Sequence, residues 1–109
     1  MKDYWKPEFA SRFRRHENEL DTLLAWNRLL EEVCIQQETA LAAYAGLNEY
    51  MESGELLQDM DQDTAGSLPS DLKRGVLSED GAYNALQDTE ELLETMKQMS
   101  ARLHLLRQA

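Results

Sequence analysis

The feature that most constrains the fold is a stretch from Glu8 to Ala45 that contains neither glycine nor proline. Its apolar face repeats at steps of three and four residues, which is the spacing of one side of an α-helix. This face comprises Phe9, Phe13, His16, Leu20, Leu23, Leu24, Leu30 and Cys34, widened by Trp26, Leu29 and Val33. A straight helix as far as Gly46 would be about 57 Å long, which is too long for so small a compact domain. We therefore expect a turn or kink between Cys34 and Thr39.

Apolar spacing predicts further helices after this point. The second helix is expected to turn Leu41, Tyr44, Leu47 and Met51 inward and to end near Ser53-Gly54, where glycine can adopt the left-handed closing conformation. A short helix over Glu55 to Asp63 is expected to fade at its acidic residues. The last helix is predicted to begin at Ser78 as N-cap, and its inner stripe comprises Ala82, Leu86, Leu93, Met96 and Leu103.

Between these helices lies a segment, Gly66 to Ser78, that helical spacing does not explain. It contains Leu68, Leu72, Val76 and Leu77. Flexible linkers are polar and bury nothing, so these aliphatic residues favour an ordered loop packed on a helical core.

The composition favours an all-α fold. The chain has two Val, one Ile and 7% aromatic residues, which is poor material for a β-sheet. Its 109 residues suit one domain, 1–109, with residues 1–6 frayed. We predict a small bundle of three main helices, in which a long antiparallel hairpin is joined by the C-terminal helix, with the ordered loop between the second and third.

Location is predicted from what the chain lacks. No apolar run approaches the ~20 residues that span a bilayer, and the amino terminus, with Asp3 and Pro7, does not resemble a signal peptide. The single cysteine, Cys34, cannot form an internal disulfide. We expect a cytoplasmic protein without a membrane partner.

The net charge of −10 disfavours nucleic acid and anionic membranes as partners. From Leu29 to Leu72 the chain has ten carboxylates and no Lys, Arg or His. Such a block is either a solvated face or a docking surface for a cationic protein. The predicted partner-binding residues are Glu49, Glu52, Glu55, Asp59, Asp61, Asp63 and Asp71.

The sequence predicts no catalytic, metal or cofactor site. Asp59, Asp61 and Asp63 mimic the start of a calcium-binding EF-hand loop, but Thr64 and Ser70 occupy the places of its glycine and bidentate glutamate. Cys34 lies on the apolar helix face and is predicted to be a small buried hydrophobe. The two histidines, His16 and His104, lack the spacing of zinc ligands.

The basic pair Lys73-Arg74 stands in the middle of the ordered loop. Either Arg74 pairs with a nearby acid and ties the loop to the core, or both cations point outward toward an anionic ligand. The residues assigned to this structural or anion-binding role are Lys73, Arg74, Gly75, Ser78, Glu79 and Asp80.

A longer pattern surrounds this pair. It runs from Glu49 through Asp59, Asp61, Asp63 and Leu68-Pro69, then continues from Asp71 to Asp80 with Tyr83-Asn84 and Leu86. Over about Glu17 to Met99 the chain resembles the family known as domain of unknown function 4298. That resemblance implies a bacterial setting and a mostly helical domain, and it brings no established activity.

These observations lead us to expect an acidic protein-binding module and no enzyme. The specific hypothesis is a bacterial inhibitor or immunity-type protein that occludes the basic active-site cleft of a toxin or another enzyme. One alternative is an accessory domain that binds a small anionic ligand through the Lys73-Arg74 loop. Another is a self-associating helical scaffold, suggested by Trp5, Trp26 and the Met-rich last helix, and the oligomeric state stays open.

Overall fold

The computed structural model describes residues 6–77 and 80–108. These residues form helices and turns and contain no strand, so the predicted all-α class is confirmed. The elements are α1 (Pro7–Ile35), α2 (Gln37–Glu52), α3 (Glu55–Thr64), a short 3₁₀ helix (Gly75–Leu77) and α4 (Gly81–Gln108). Of the predicted frayed end, residues 1–5 lie outside the described residues, as does Trp5. None of the described helices combines the length and apolarity needed to cross a membrane.

Helix α1 begins and ends as its local chemistry predicts. Pro7 occupies the first helical turn after Lys6, whose extended backbone has φ −64° and ψ 143°, and a proline there loses no helical hydrogen bond. The expected interruption is confirmed at a single residue, Gln36, with φ −87° and ψ 1°. The Gln36 N–H still donates to the Glu32 carbonyl at 3.1 Å, and the Gln36 carbonyl accepts from the Ala40 N–H at 2.9 Å.

The chain divides into two compact units, residues 1–40 and 41–109. In the first unit, α1 has no buried residue, and Phe13, Leu20 and Leu23 are each at least half exposed. Cys34 is exposed as well, so its predicted burial is wrong. Among the described residues of this unit, the only element besides α1 is the first turn of α2, residues 37–40, which is too short to cover the apolar face of α1.

The second unit has a small core at the beginning of α4. Ala82 and Leu86 are buried, with 5% and 9% of their surface exposed. The same unit has half-buried apolar and aromatic residues: Tyr44, Leu47, Tyr50, Met51, Leu56, Met60, Leu68 and Leu77. The predicted inner stripe of α4 is therefore buried only over its first two turns. Leu93, Met96 and Leu103 are exposed, and so is Leu41 of α2, which we expected to point inward.

Two glycines in the left-handed region end helices in this unit. Gly54, with φ +85°, follows α2 as predicted. Gly66, with φ +77°, follows α3 and donates its N–H to the Asp63 carbonyl, while the Ser67 N–H reaches the Gln62 carbonyl. This pair of bonds is a Schellman motif, which satisfies carbonyls at the end of a helix. The prediction that α3 fades at its aspartates is wrong, because the helix continues to Thr64.

The loop after α3 packs on the helices only in part, because Leu72 and Val76, two of its four aliphatic residues, are exposed. Its 3₁₀ helix contacts both α3 and α4, while Leu68 and Leu77 are half-buried. Leu72 closes a turn by donating its N–H to the Pro69 carbonyl at 3.3 Å.

Helix α4 begins at Gly81, and the Asn84 N–H donates to the Asp80 carbonyl at 2.8 Å. Asp80 therefore directly precedes this helix. The predicted N-cap, Ser78, lies outside the described residues, as does Glu79.

Candidate functional site

The acidic residues predicted to bind a partner fall into two groups. Glu49, Glu52, Glu55, Asp61 and Asp71 are exposed, whereas Asp59 and Asp63 are half-buried. The exposed group comes from the end of α2, from α3 and from the loop. The half-buried pair faces the rest of the unit and has internal hydrogen-bonding partners.

Asp63 receives a charged hydrogen bond from the loop. The Nε–H of Arg74 donates to Asp63 Oδ1 at 2.7 Å, and both side chains are about one third exposed. The other guanidinium nitrogens donate to backbone carbonyls, at 2.6 Å to Pro69, 3.0 Å to Leu72 and 3.3 Å to Ser70. The planar guanidinium of Arg74 therefore holds the turn of the loop and connects the loop to α3. The intramolecular interpretation of Arg74 is confirmed.

The neighbours of Arg74 are placed differently. Lys73 is exposed, as are Gly75, which begins the 3₁₀ helix, and Asp80, which precedes α4. The loop thus presents the ammonium group of Lys73 to solvent, while the guanidinium of Arg74 is bonded to the fold.

Asp59 is bonded to α2. The Tyr50 hydroxyl donates a short hydrogen bond to Asp59 Oδ2. This bond, with lesser contributions from burial and from the charges of Asp59 and Glu55, raises the pKa of Tyr50 to about 12. This hydrogen bond joins α2 to α3 across the turn at Gly54. Asp59 therefore has a structural role and is not a free acid of the predicted docking surface.

An open cleft of about 490 Å³ lies between the second half of α2 and the beginning of α4. It is lined by Tyr44, Asn48, Met51, Glu52, Tyr83, Leu86, Gln87 and Glu90. Across it, the Tyr44 hydroxyl donates to Glu90 Oε1 at 2.9 Å. That hydrogen bond, followed by burial and by the charges of Glu90 and Glu52, raises the pKa of Tyr44. The cleft therefore combines apolar and aromatic surface with a negative potential.

Such a cleft suits a side chain or peptide that is cationic, apolar or both, and it repels anions. Among the described residues no three His, Cys, Asp or Glu side chains are arranged to hold a metal ion. Asp59, Asp61 and Asp63 lie on the helix α3, not on a calcium-binding loop.

The cleft is the part of the site that the sequence did not predict. Tyr44, Met51 and Leu86 were placed on inward faces by their spacing, but spacing does not tell which two faces meet. The bond from Tyr44 to Glu90 joins residues 46 positions apart. A signal was present in the two tyrosines of the acidic block, Tyr44 and Tyr50, since a buried phenol hydroxyl usually finds an acceptor.

The model of the family described as Domain of unknown function (DUF4298) matches residues 13–99. The chain belongs to this family. No curated protein and no solved structure matches the chain.

In this DUF4298 chain the matched segment includes all the described elements of the second unit except the end of α4, together with most of α1. The run Leu72 to Asp80, on which the resemblance chiefly depends, contains the arginine that holds the loop. Membership of DUF4298 does not assign an activity to the chain. The proposed function therefore depends on the residues at its surface.

Proposed function

We propose that the chain is an acidic protein-binding module, of the bacterial inhibitor or immunity type, that occludes the basic active-site cleft of a toxin or another enzyme. One observation carries the proposal. The five acids Glu49, Glu52, Glu55, Asp61 and Asp71 are exposed within a block of sequence, Leu29 to Leu72, that has no basic residue to neutralise it.

An acidic surface of this kind mainly raises the rate at which the protein associates with a basic partner. Charges on the rim of an interface speed association with a partner of opposite sign, and salt screens them within about 10 Å. Affinity has to come from apolar anchors. Leu57 on α3 and Leu72 in the loop are exposed large side chains close in sequence to these acids, and they can supply such contacts.

The anionic-ligand alternative has less support. A ligand at the Lys73-Arg74 pair would have to compete with Asp63 and with three backbone carbonyls for the Arg74 guanidinium. It would also approach a strongly acidic chain, which raises the electrostatic cost of binding an anion.

The finer arrangement of the helices belongs to the proposal as well. We propose that the apolar stripes of the three long helices meet in a three-helix bundle with the ordered loop across it. Support comes from the amount of apolar surface on α1 and α4 that needs a cover, since soluble proteins rarely leave large contiguous apolar patches exposed. The cytoplasmic location stays a prediction.

The docking proposal is tested with a variant that neutralises the free acids and spares the bonded ones. Glu55→Gln, Asp61→Asn and Asp71→Asn remove three charges and leave Asp59 and Asp63 in place. The matched control is Glu8→Gln, Asp21→Asn and Glu94→Gln, which removes three exposed charges outside the docking surface.

The partner is first captured from native cells with the unmodified chain, then purified, and association rates are measured at low and high salt. We expect the test variant to associate about tenfold more slowly at low salt and to lose most of the salt dependence. We also expect the control to behave like the unmodified chain and the partner's activity to fall on binding. Equal association by the two variants would show that this surface is not the contact.

A further inference from the structure

The cleft between α2 and α4 is formed within one compact unit of the chain. Its lining comes from residues 44–52 of α2 and 83–90 of α4, and all of these belong to the unit 41–109. The chemistry of the cleft is therefore set by this unit alone. Its volume of about 490 Å³ lies within the range of sites that hold a small molecule or a large side chain.

The charges in this cleft have one sign. Glu52 and Glu90 belong to its lining, and among the described residues that line it there is no Lys, Arg or His. Both carboxylates act on the same phenol, because the hydrogen bond to Glu90 and the charges of Glu90 and Glu52 raise the pKa of Tyr44. Glu90 accepts that hydrogen bond through Oε1 at 2.9 Å. Since an ionised carboxylate can accept at both oxygens, Glu90 Oε2 can take a second donor.

Aromatic and aliphatic surface lies in the same cleft as these carboxylates. Tyr44 and Tyr83 supply two phenol rings, and Met51 and Leu86 supply aliphatic surface. A phenol ring attracts an organic cation that lies over its face. Aliphatic surface can cover the methylene stem of a long basic side chain whose charge stays among polar groups. The cleft therefore offers contacts to both the charged and the apolar parts of one ligand.

Arginine matches this combination better than other cations do. Its planar guanidinium has several N–H donors, stacks on aromatic rings and is more weakly hydrated than an ammonium group. Lysine carries a compact, strongly hydrated charge and has no planar group to stack. An inorganic cation would leave the apolar lining of the cleft without a contact.

We propose that the α2–α4 cleft is the binding site for an arginine side chain that projects from the basic partner. This inference rests on the proposed function, and it names the residue type of the partner that supplies affinity. An arginine held in a cleft by carboxylates and aromatic rings is the kind of anchor that dominates binding energy at protein interfaces. The exposed acids outside the cleft speed association, whereas the occupied cleft slows dissociation.

The site is first tested without the partner, on the full chain, with arginine blocked as its N-acetyl methylamide. Blocked citrulline has nearly the same shape without the charge, and blocked lysine has the charge without the planar group. An NMR titration follows the rings of Tyr44 and Tyr83 and the methyl group of Met51. We expect blocked arginine to bind with a roughly millimolar dissociation constant, and blocked citrulline to bind at least about fivefold more weakly. Equal binding of these two probes, or no binding of blocked arginine at the cleft, would overturn the proposal.

A pair of double variants separates the cleft from the general acidity of the chain. Glu52→Gln with Glu90→Gln removes both carboxylates of the cleft and keeps an oxygen that can accept from Tyr44. The matched control, Glu49→Gln with Glu55→Gln, removes two exposed charges outside the cleft. We expect the cleft variant to bind blocked arginine at least about fivefold more weakly and the control to bind it like the unmodified chain. Equal weakening in both variants would overturn the proposal.

A variant of Tyr83 tests the aromatic contact and leaves both carboxylates in place. Tyr83 is 57% exposed, so Tyr83→Leu removes the ring at little risk to the fold. We expect it to weaken the binding of blocked arginine by about twofold or more and to change the binding of blocked lysine less. An unchanged preference for arginine over lysine would contradict the assignment to arginine.

Measurements with the captured partner distinguish the arginine site from the docking surface. Glu90→Gln should raise the dissociation rate by about tenfold and leave the association rate nearly unchanged. The triple variant at Glu55, Asp61 and Asp71 should instead slow association. Slower association of the triple variant with unchanged dissociation of Glu90→Gln would overturn the arginine site and support the docking surface. Faster dissociation of Glu90→Gln with normal association of the triple variant would support the arginine site and contradict the docking surface.

Discussion

Arg74 shows how one side chain can hold a loop that has little core of its own. Its guanidinium bonds Asp63 on α3 and three carbonyls of the turn from Pro69 to Leu72. Hydrogen bonds to charged groups are worth more than neutral ones, although partial exposure reduces the gain. Because lysine offers a point charge and no planar fork, it cannot replace these contacts.

Replacing Arg74→Ala should lower the free energy of unfolding by about 1–2 kcal/mol, because Asp63 and the loop carbonyls lose a shared donor. Arg74→Lys should recover less than half of that loss. The neighbouring control Lys73→Ala, at an exposed side chain, should change it by less than about 0.5 kcal/mol. Urea unfolding followed by circular dichroism measures all three, and equal effects of the two alanine variants would contradict the contacts described for Arg74.

The hydrogen bond of Tyr50 predicts how the stability of the protein depends on pH. Its pKa rises from an ordinary value of 10.0 to about 12 because its hydroxyl donates to Asp59. A raised pKa means that the folded state holds the proton more tightly than the unfolded state. The stabilisation is therefore complete below about pH 10 and is lost as the pH rises toward 12.

Thermal unfolding between pH 9 and pH 12 measures this effect, with Tyr50→Phe as the comparison because other groups also titrate in that range. We expect the melting temperature of the unmodified chain to fall more steeply above pH 10 than that of Tyr50→Phe. Parallel curves for the two proteins would mean that the phenol is not bonded in solution.

At the scale of single residues, the sequence limited the arrangements that a side chain can adopt but did not show which of them occurs. It predicted that Arg74 either pairs with an acid or points outward, and it offered ten acids in the block before it. Asp63 is the partner because the turn at Gly66 brings the loop back along α3, and spacing alone does not show that return. The exposure of Cys34 was not predicted, for a related reason. An apolar stripe predicts that a helix face is covered, but it does not show which element covers that face.

At the scale of elements, helix ends depend on the local backbone. Gly54 and Gly66 both have positive φ, at 85° and 77°, in the region that residues with a Cβ atom rarely adopt. The helix α3 extends past its aspartates because its end is closed by Gly66 and its acids have partners in Tyr50 and Arg74. The run of acidic residues alone had suggested an earlier end.

This gives a paired prediction on two glycines. Gly66→Ala should destabilise the chain by about 1–2 kcal/mol, because alanine is strained in the left-handed region. Gly46→Ala, inside α2 with open space around the added Cβ atom, should stabilise it by about 0.5–1 kcal/mol. Chemical unfolding of both variants checks the signs, and a stabilising Gly66→Ala would contradict the turn conformation.

At the scale of the whole molecule, the acids of the proposed docking surface are distinct from the acids that hold the fold. Docking relies on the exposed residues Glu49, Glu52, Glu55, Asp61 and Asp71, whereas Asp59 and Asp63 are bonded to Tyr50 and Arg74. Neutralising the exposed acids therefore leaves these internal bonds in place. The net charge of −10 favours encounter with a basic partner over unspecific self-association.

The helical class, the end of α2 and the packing of the loop at Leu68 and Leu77 follow from local chemistry: apolar spacing, a glycine that tolerates positive φ, and aliphatic residues in a segment that would otherwise be polar. The interruption near Gln36 was expected because one straight helix from Glu8 to Gly46 would be too long for a small compact domain. Family membership followed from a run of residues in that loop. Folding of the second unit decided the rest, namely that Arg74 bonds Asp63, that Tyr44 bonds Glu90 across a cleft, and that Ala82 and Leu86 are the buried residues of the part of the chain that the structure describes. These outcomes depend on which surfaces far apart in the chain come together, and the preferences of neighbouring residues do not encode that choice.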